Sequence, residues 1–213
     1  CPRSGLQFEA HAEKLMIANA VVAVVFLLLG GVLALGVALT RWPAVHWLQA
    51  DTFYQVLTAH GIDMLIFWII FFEIAVLYFC ASTLLRCRIA TPRIAWLAFA
   101  LMLIGAVVNN YAVYKGGSSV MMTSYVPMMA EQSFYLGLIL FAVGALIGCF
   151  VFFGTLVVAK RDKTYEGSVP LVTFGALTAA IIAVFTIASG AIVLLPTWLL
   201  SLAVLWASVA SGQ

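Results

Sequence analysis

Charge is scarce in this chain: 8% of its 213 residues are Asp, Glu, Lys or Arg, while 65% are hydrophobic. Soluble domains carry about a quarter charged residues, so the composition excludes one and points to a bilayer. Ten Lys and Arg against eight Asp and Glu leave a net charge of +2, which gives no reason to expect nucleic acid or an acidic partner. Phosphate-loop, nucleophile-elbow and zinc-ligand spacings are all missing, so nothing suggests hydrolytic chemistry. The four cysteines, at positions 1, 80, 87 and 149, also lack metal-ligand spacing. Cys80 and Cys149 sit in apolar runs, where a thiol packs as a small hydrophobe.

A membrane helix needs about 20 apolar residues. Five such runs are present, at about 15–40, 56–79, 94–113, 134–159 and 171–195, followed by a shorter apolar stretch at 197–213. The expected fold is therefore all-α: a single membrane domain, a polytopic transmembrane helix bundle of five full spans plus a partial sixth. Pro196 is expected to end or kink the fifth span. The first run is too long for a secretory signal peptide and no small-residue cleavage site follows it, so it belongs to the mature chain.

Lys and Arg divide unevenly among the connections. Arg3, Lys14, Arg86, Arg88, Arg93, Lys160, Arg161 and Lys163 fall on one side, and Arg41 and Lys115 on the other. Positive loops stay in the cytoplasm, so the amino terminus is expected there. Trp42, Trp47, Tyr54, Tyr111, Tyr114 and Tyr125 cluster toward the opposite side, where amphipathic rings anchor helix ends.

Polar groups inside spans are costly, and each is weighed as a site. His11 precedes the first span and His46 lies in an outer loop, which leaves His60 as the one histidine within a span. Histidines at that depth serve a cofactor, an ion or a proton path. Phe53, Phe67 and Trp68 are near it in sequence, and a flat hydrophobic cofactor would suit such surroundings. Asp63 follows three residues later on nearly the same helical face. It reads either as a partner of His60 or of a cofactor's propionate neighbourhood, or as a carboxylate solvated near the interface. Glu73 lies roughly 20 Å deeper, a candidate proton-path carboxyl in its neutral form or a hydrogen-bonding partner of another helix. Gly144 and Gly148 form a G-x-x-x-G, the spacing that lets membrane helices approach closely, and Gly30, Gly31 and Gly36 thin the first span.

Taken together, several stretches resemble the haem-copper oxidase superfamily, and within it subunit I of the B-type oxygen reductases (cytochrome c oxidases). Phe53-Tyr54-Gln55-Val56-Leu57-Thr58-Ala59-His60-Gly61 is similar to the start of that subunit's second helix. Thr123-Ser124-Tyr125-Val126-Pro127 resembles its outer loop before the fourth helix, and Ser133-Phe134-Tyr135-Leu136-Gly137 the start of that helix. Val169-Pro170-Leu171-Val172-Thr173 is similar to the beginning of the fifth. The His60-Gly61 pair suits the B-type branch better than the His-Ala of the A-type.

The resemblance implies an amino-terminal portion of a subunit that reduces oxygen to water with electrons from cytochrome c and translocates protons. It implies His60 as an axial ligand of a low-spin haem iron, with a second haem and copper held elsewhere. It further implies a partner subunit II carrying a copper centre, and a prokaryotic plasma membrane as the location. No histidine follows His60, so the copper and high-spin haem ligands are not in this sequence. Inside the chain the second axial position could come only from a methionine such as Met102, Met121 or Met122. The chain begins with Cys and stops within an apolar run, so a partial sequence is expected, with a naturally split subunit as the alternative. A nitric oxide reductase of the same superfamily, a non-catalytic haem-binding protein and a small transporter are the competing readings. A transporter would show internal repeats and broken helices, and none is apparent.

Overall fold

The computed structural model describes residues 6–120 and 128–211. Five helices among these residues are long and apolar enough to cross a membrane, and no strand occurs among them. They are α1 (Ala10–Arg41), α2 (Ala50–Thr83), α3 (Pro92–Tyr114), α4 (Gln132–Arg161) and α5 (Leu171–Ser211). The all-α membrane architecture expected from the apolar runs is thus present. With few groups in a bilayer able to satisfy a free N–H or C=O, long helices are the form these runs can take.

Helix ends follow local chemistry. The Glu9 carboxylate accepts the backbone N–H groups of His11 (3.0 Å) and Ala12 (2.9 Å), capping the start of α1. Pro92 opens α3, where its missing N–H costs nothing. At the far end of α3, Gln55 Nε2 donates to the carbonyls of Val113 (2.8 Å) and Tyr114 (2.9 Å). That bond supplies partners to two terminal carbonyls and ties α2 to α3.

One expectation changes. The stretch 197–213 is not a separate sixth span, because its described part continues α5 as one helix of 41 residues with Pro196 inside it. Proline removes one backbone donor and crowds the preceding turn, but in an apolar stretch leaving the helix would orphan many more groups. Thr197 Oγ1 donates to the Val193 carbonyl at 2.7 Å, adding a bond to the turn that Pro196 weakens.

Contacts divide the chain into two compact units. The first comprises 1–23, 70–102 and 142–189, and the second 24–69, 103–141 and 190–213. Within the first, α4 packs on α3 through Gly144, where a Cβ would fall 2.7 Å from the Ala98 carbonyl and 2.8 Å from the Met102 nitrogen. Within the second, α3 and α4 meet backbone to backbone at Gly105 and Gly137: a Cβ on Gly105 would lie 2.5 Å from Phe141 N and 2.6 Å from Gly137 O. Small residues thus set the helix spacing, as membrane packing requires. The Gly105–Gly137 crossing was not singled out in the sequence.

Of the described Lys and Arg residues, Lys14, Arg86, Arg88, Arg93, Lys160, Arg161 and Lys163 fall in the first unit, Arg41 and Lys115 in the second. The second unit also carries the exposed rings of Trp42, Trp47, Tyr54, Tyr111 and Tyr114. Tyr125 and Arg3 lie outside the described residues.

Candidate functional site

His60 sits on α2 in the second unit, half-buried, with Nδ1 2.9 Å from the Gly30 carbonyl oxygen of α1. A carbonyl only accepts, so this contact places the proton on Nδ1 and leaves the lone pair on Nε2. Among the described residues Nε2 has no hydrogen-bond partner. Gly30 makes the approach feasible: a Cβ there would lie 2.7 Å from Met64 Cγ, 2.8 Å from Met64 Sδ and 3.2 Å from Asp63 Cβ.

Immediately beyond His60 the helix widens. Residues Asp63–Phe67 form a π turn, and Trp68 N–H returns to the Asp63 carbonyl five residues back. One extra residue in the turn shifts the faces that follow, and such widenings gather at functional sites. Asp63 is 0% exposed, so it is not solvated at the interface. Asn110 Nδ2 of α3 donates to Asp63 Oδ1 at 2.9 Å, while Oδ2 has no partner. Asp63 therefore bonds α3, and His60 bonds α1.

Two of the aromatic residues near His60 in sequence have defined partners. Phe67 is 0% exposed and packs between Phe26 (centroids 5.2 Å apart) and Phe141 (4.8 Å). Phe53 lies under the Arg41 guanidinium, 5.8 Å from ring centroid to Cζ. These rings pack within the second unit, around α2.

Glu73 belongs to the first unit, where it is half-buried and lines a cavity of about 350 Å³ with Cys149 and apolar side chains of α2, α4 and α5. Met102 is fully buried in that unit, and Met121 and Met122 lie outside the described residues. Cys80, Cys87 and Cys149 are buried free thiols. Burial holds the Cys87 thiol, in the connection between α2 and α3, above its ordinary pKa. No cluster of three or more His, Cys, Asp or Glu that could hold a bare metal ion occurs among the described residues. A haem needs no such cluster, since the porphyrin supplies its own equatorial nitrogens and asks the protein for axial ligands. An imidazole with Nδ1 engaged and Nε2 available fits that request.

The sequence singles out His60 and Asp63 but not their partners, Gly30 and Asn110. The Gly30 carbonyl is a backbone atom, and only the Gly30-Gly31 pair hinted at close approach. Asn110 had a clearer signal: with Asn109 it forms a carboxamide pair inside an apolar run.

Comparison with known proteins bears on the whole of this arrangement. The family described as Cytochrome C and Quinol oxidase polypeptide I matches residues 14–210, a span that contains α2 and every candidate residue above. No curated protein matches the chain. Among solved structures, one of a heme-copper terminal oxidase dimer, determined by cryo-EM, is similar with a TM-score of 0.74 at 23% identity. The match covers 88% of this chain and 32% of that one, so the chain spans about a third of the solved chain's length and shares its fold. A match that runs through nearly all of the sequence settles the family: the chain belongs to the family of cytochrome c and quinol oxidase polypeptide I.

Proposed function

We propose that the chain serves in the catalytic subunit of a terminal respiratory oxidase of the B-type branch, and that His60 supplies one axial ligand of its low-spin haem. The observation that carries this reading is the 2.9 Å contact between His60 Nδ1 and the Gly30 carbonyl. It fixes the ring's tautomer and orientation, raises the basicity of Nε2, and does so on a helix whose continuation is anchored by Asp63 and Asn110. Bound there, the haem would accept and pass on single electrons. The protein's own part is to hold the imidazole, to exclude water with the packed rings of Phe26, Phe67 and Phe141, and to keep a buried carboxyl three residues away.

In this reading the electrons come from cytochrome c through a subunit II with a copper centre. The second haem and the copper take ligands from outside these residues. Asp63 acts on the haem neighbourhood by holding α2 to α3 through Asn110, and Glu73 carries protons in its neutral form. The amino terminus faces the cytoplasm of a prokaryotic cell, in its plasma membrane.

The test is consumption of oxygen against consumption of nitric oxide by the purified complex containing this chain, alongside a reduced-minus-oxidised spectrum. Steady oxygen uptake with a low-spin haem band is expected. Faster nitric oxide uptake would assign a nitric oxide reductase, and a spectrum without haem bands would remove the oxidase reading.

A further inference from the structure

A cavity of about 210 Å³ lies wholly within the first unit, between the residues that lead into α1 and the end of α2. We infer that it binds the phosphate of an anionic membrane lipid, held between the guanidinium groups of Arg86 and Arg88. Both arginines stand in the connection between α2 and α3 and line the cavity. Gln7, Phe8 and Glu9 form the wall on the α1 side, and the buried residues Ser82 and Cys87 complete it.

An arginine just after a helix commonly serves that helix by donating to its last carbonyls. Here other donors take them. The carbonyl of Phe79 accepts Leu84 N–H (3.2 Å), that of Ser82 accepts Cys87 N–H (2.9 Å) and that of Thr83 accepts Arg86 N–H (3.4 Å), the last two being the paired bonds of a Schellman turn. Thr164 Oγ1 donates to the Leu85 carbonyl and Ser82 Oγ to the Cys87 carbonyl, each at 2.6 Å. The backbone thus closes without either guanidinium. Neither forms an ion pair among the described residues. Glu9, the carboxylate on the wall, accepts from the N–H groups of His11 and Ala12 through its two oxygens, so its charge answers the positive end of α1. Two cations against one helix-bound anion leave the cavity positive.

Position selects the source of the anion. α1 begins at Ala10 and α2 ends at Thr83, so the cavity sits where two spans leave the apolar layer, at the level of phospholipid headgroups. A guanidinium presents a planar fork that matches phosphate oxygens two at a time, and two such forks beside the Gln7 amide suit a phosphodiester. Phe8, 37% exposed, gives the same wall an apolar surface for the carbon skeleton next to that phosphate. Basic pockets between membrane helices hold anionic headgroups in this way.

Backbone geometry supplies a matched control. Arg86 and Lys163 both take left-handed backbone, each with φ 50°, just after α2 and α4, where glycine is the least strained residue. Arg86 lines the cavity and Lys163 does not. Glycine therefore relieves the backbone at both positions and removes a phosphate-binding cation at one of them.

Native mass spectrometry of the purified, delipidated complex containing the full chain counts the lipid taken up from dioleoylphosphatidylglycerol or dioleoylphosphatidylcholine, with and without inorganic phosphate. Wild type should hold one phosphatidylglycerol more than Arg86→Gln/Arg88→Gln, whose affinity at this site falls about 30-fold, at about fivefold for each cation lost. Arg86→Gly should lose about fivefold in affinity while its unfolding midpoint without lipid stays at or above that of wild type. Lys163→Gly should be equally stable and keep the lipid. Equal phosphatidylglycerol uptake by wild type and the double substitution overturns the site. So does an equal loss in Lys163→Gly, which would make the binding a property of the charged surface, or a lowered midpoint in Arg86→Gly, which would return the arginine to a structural role. Equal uptake of the zwitterionic phosphatidylcholine, or displacement of the lipid by inorganic phosphate, overturns the assignment to an anionic lipid.

Discussion

Gly30 offers a graded test of how α1 orients His60. Against an ordinary contact of 3.4 Å, a Cβ at position 30 requires Met64 Cγ to give about 0.7 Å and Asp63 Cβ about 0.2 Å. Met64 ends in an unbranched thioether that can swing, so Gly30→Ala should cost no more than about 1 kcal/mol and leave the 2.9 Å bond to His60 intact. Gly30→Val is different, because its two further methyls must enter the space between Met64 and Asp63. Asp63 cannot yield freely, being buried and held by Asn110. Overpacking of that kind costs about 1–3 kcal/mol and is relieved when α1 recedes, which breaks the carbonyl contact to Nδ1. Losing the partner that orients a metal-binding histidine weakens metal affinity about 10–100-fold. The assay is haem retained by the purified complex during a timed challenge with an apo-haemoprotein acceptor. Gly31→Val is the control, since a Cβ at Gly31 meets nothing within 4 Å. Equal retention in Gly30→Val and wild type, or equal loss in Gly30→Val and Gly31→Val, would refute the reasoning.

Three further outcomes follow from the same contacts. Asn110→Ala removes the only hydrogen bond that the Asp63 carboxyl makes among the described residues and should lower the unfolding midpoint in detergent by the equivalent of about 1–3 kcal/mol, whereas Asn110→Asp, which loses the donor but keeps the volume, should do comparable damage at neutral pH. Gly105→Ala should destabilise more than Gly175→Ala in the same assay, because the first drives a methyl into α4 backbone and the second meets nothing within 4 Å. The Arg161 guanidinium, donating to Asp162 at 2.8 Å, holds that exposed carboxyl below its ordinary pKa; any stabilisation is therefore present above the usual Asp range and lost as pH falls, and Asp162→Asn should leave thermal stability in physiological salt unchanged.

The membrane helices were legible in the sequence because their signal is length and apolarity, which survive any detail of packing. α2 shows where that signal ends. Trp68–Tyr78 is apolar almost all round, so it has no periodic stripe whose phase an added residue could disturb. The π turns at Asp63–Phe67 and Phe79–Thr83 consequently left no mark. The burial of Asp63 was hidden for a related reason: a carboxyl near a helix end reads as solvated unless its partner is known, and Asn110 is supplied by another helix 47 residues away. His60 was readable by rarity, being the one histidine inside an apolar run. Its bond to Gly30 was not, since every residue has a carbonyl and only the fold decides which one an imidazole meets. Of the two outcomes expected at Pro196, an end to the helix does not occur, because in apolar surroundings the helix loses less by continuing past a proline than by ending.

Low-spin haem absorption of the assembled complex in His60→Ala, measured with and without added imidazole, tests the assignment of the iron ligand most directly. The low-spin band should disappear while the chain still inserts and accumulates in the membrane, because alanine is welcome in a helix span, and free imidazole should restore part of it by occupying the vacated ring position. An unchanged low-spin band in His60→Ala would contradict the assignment.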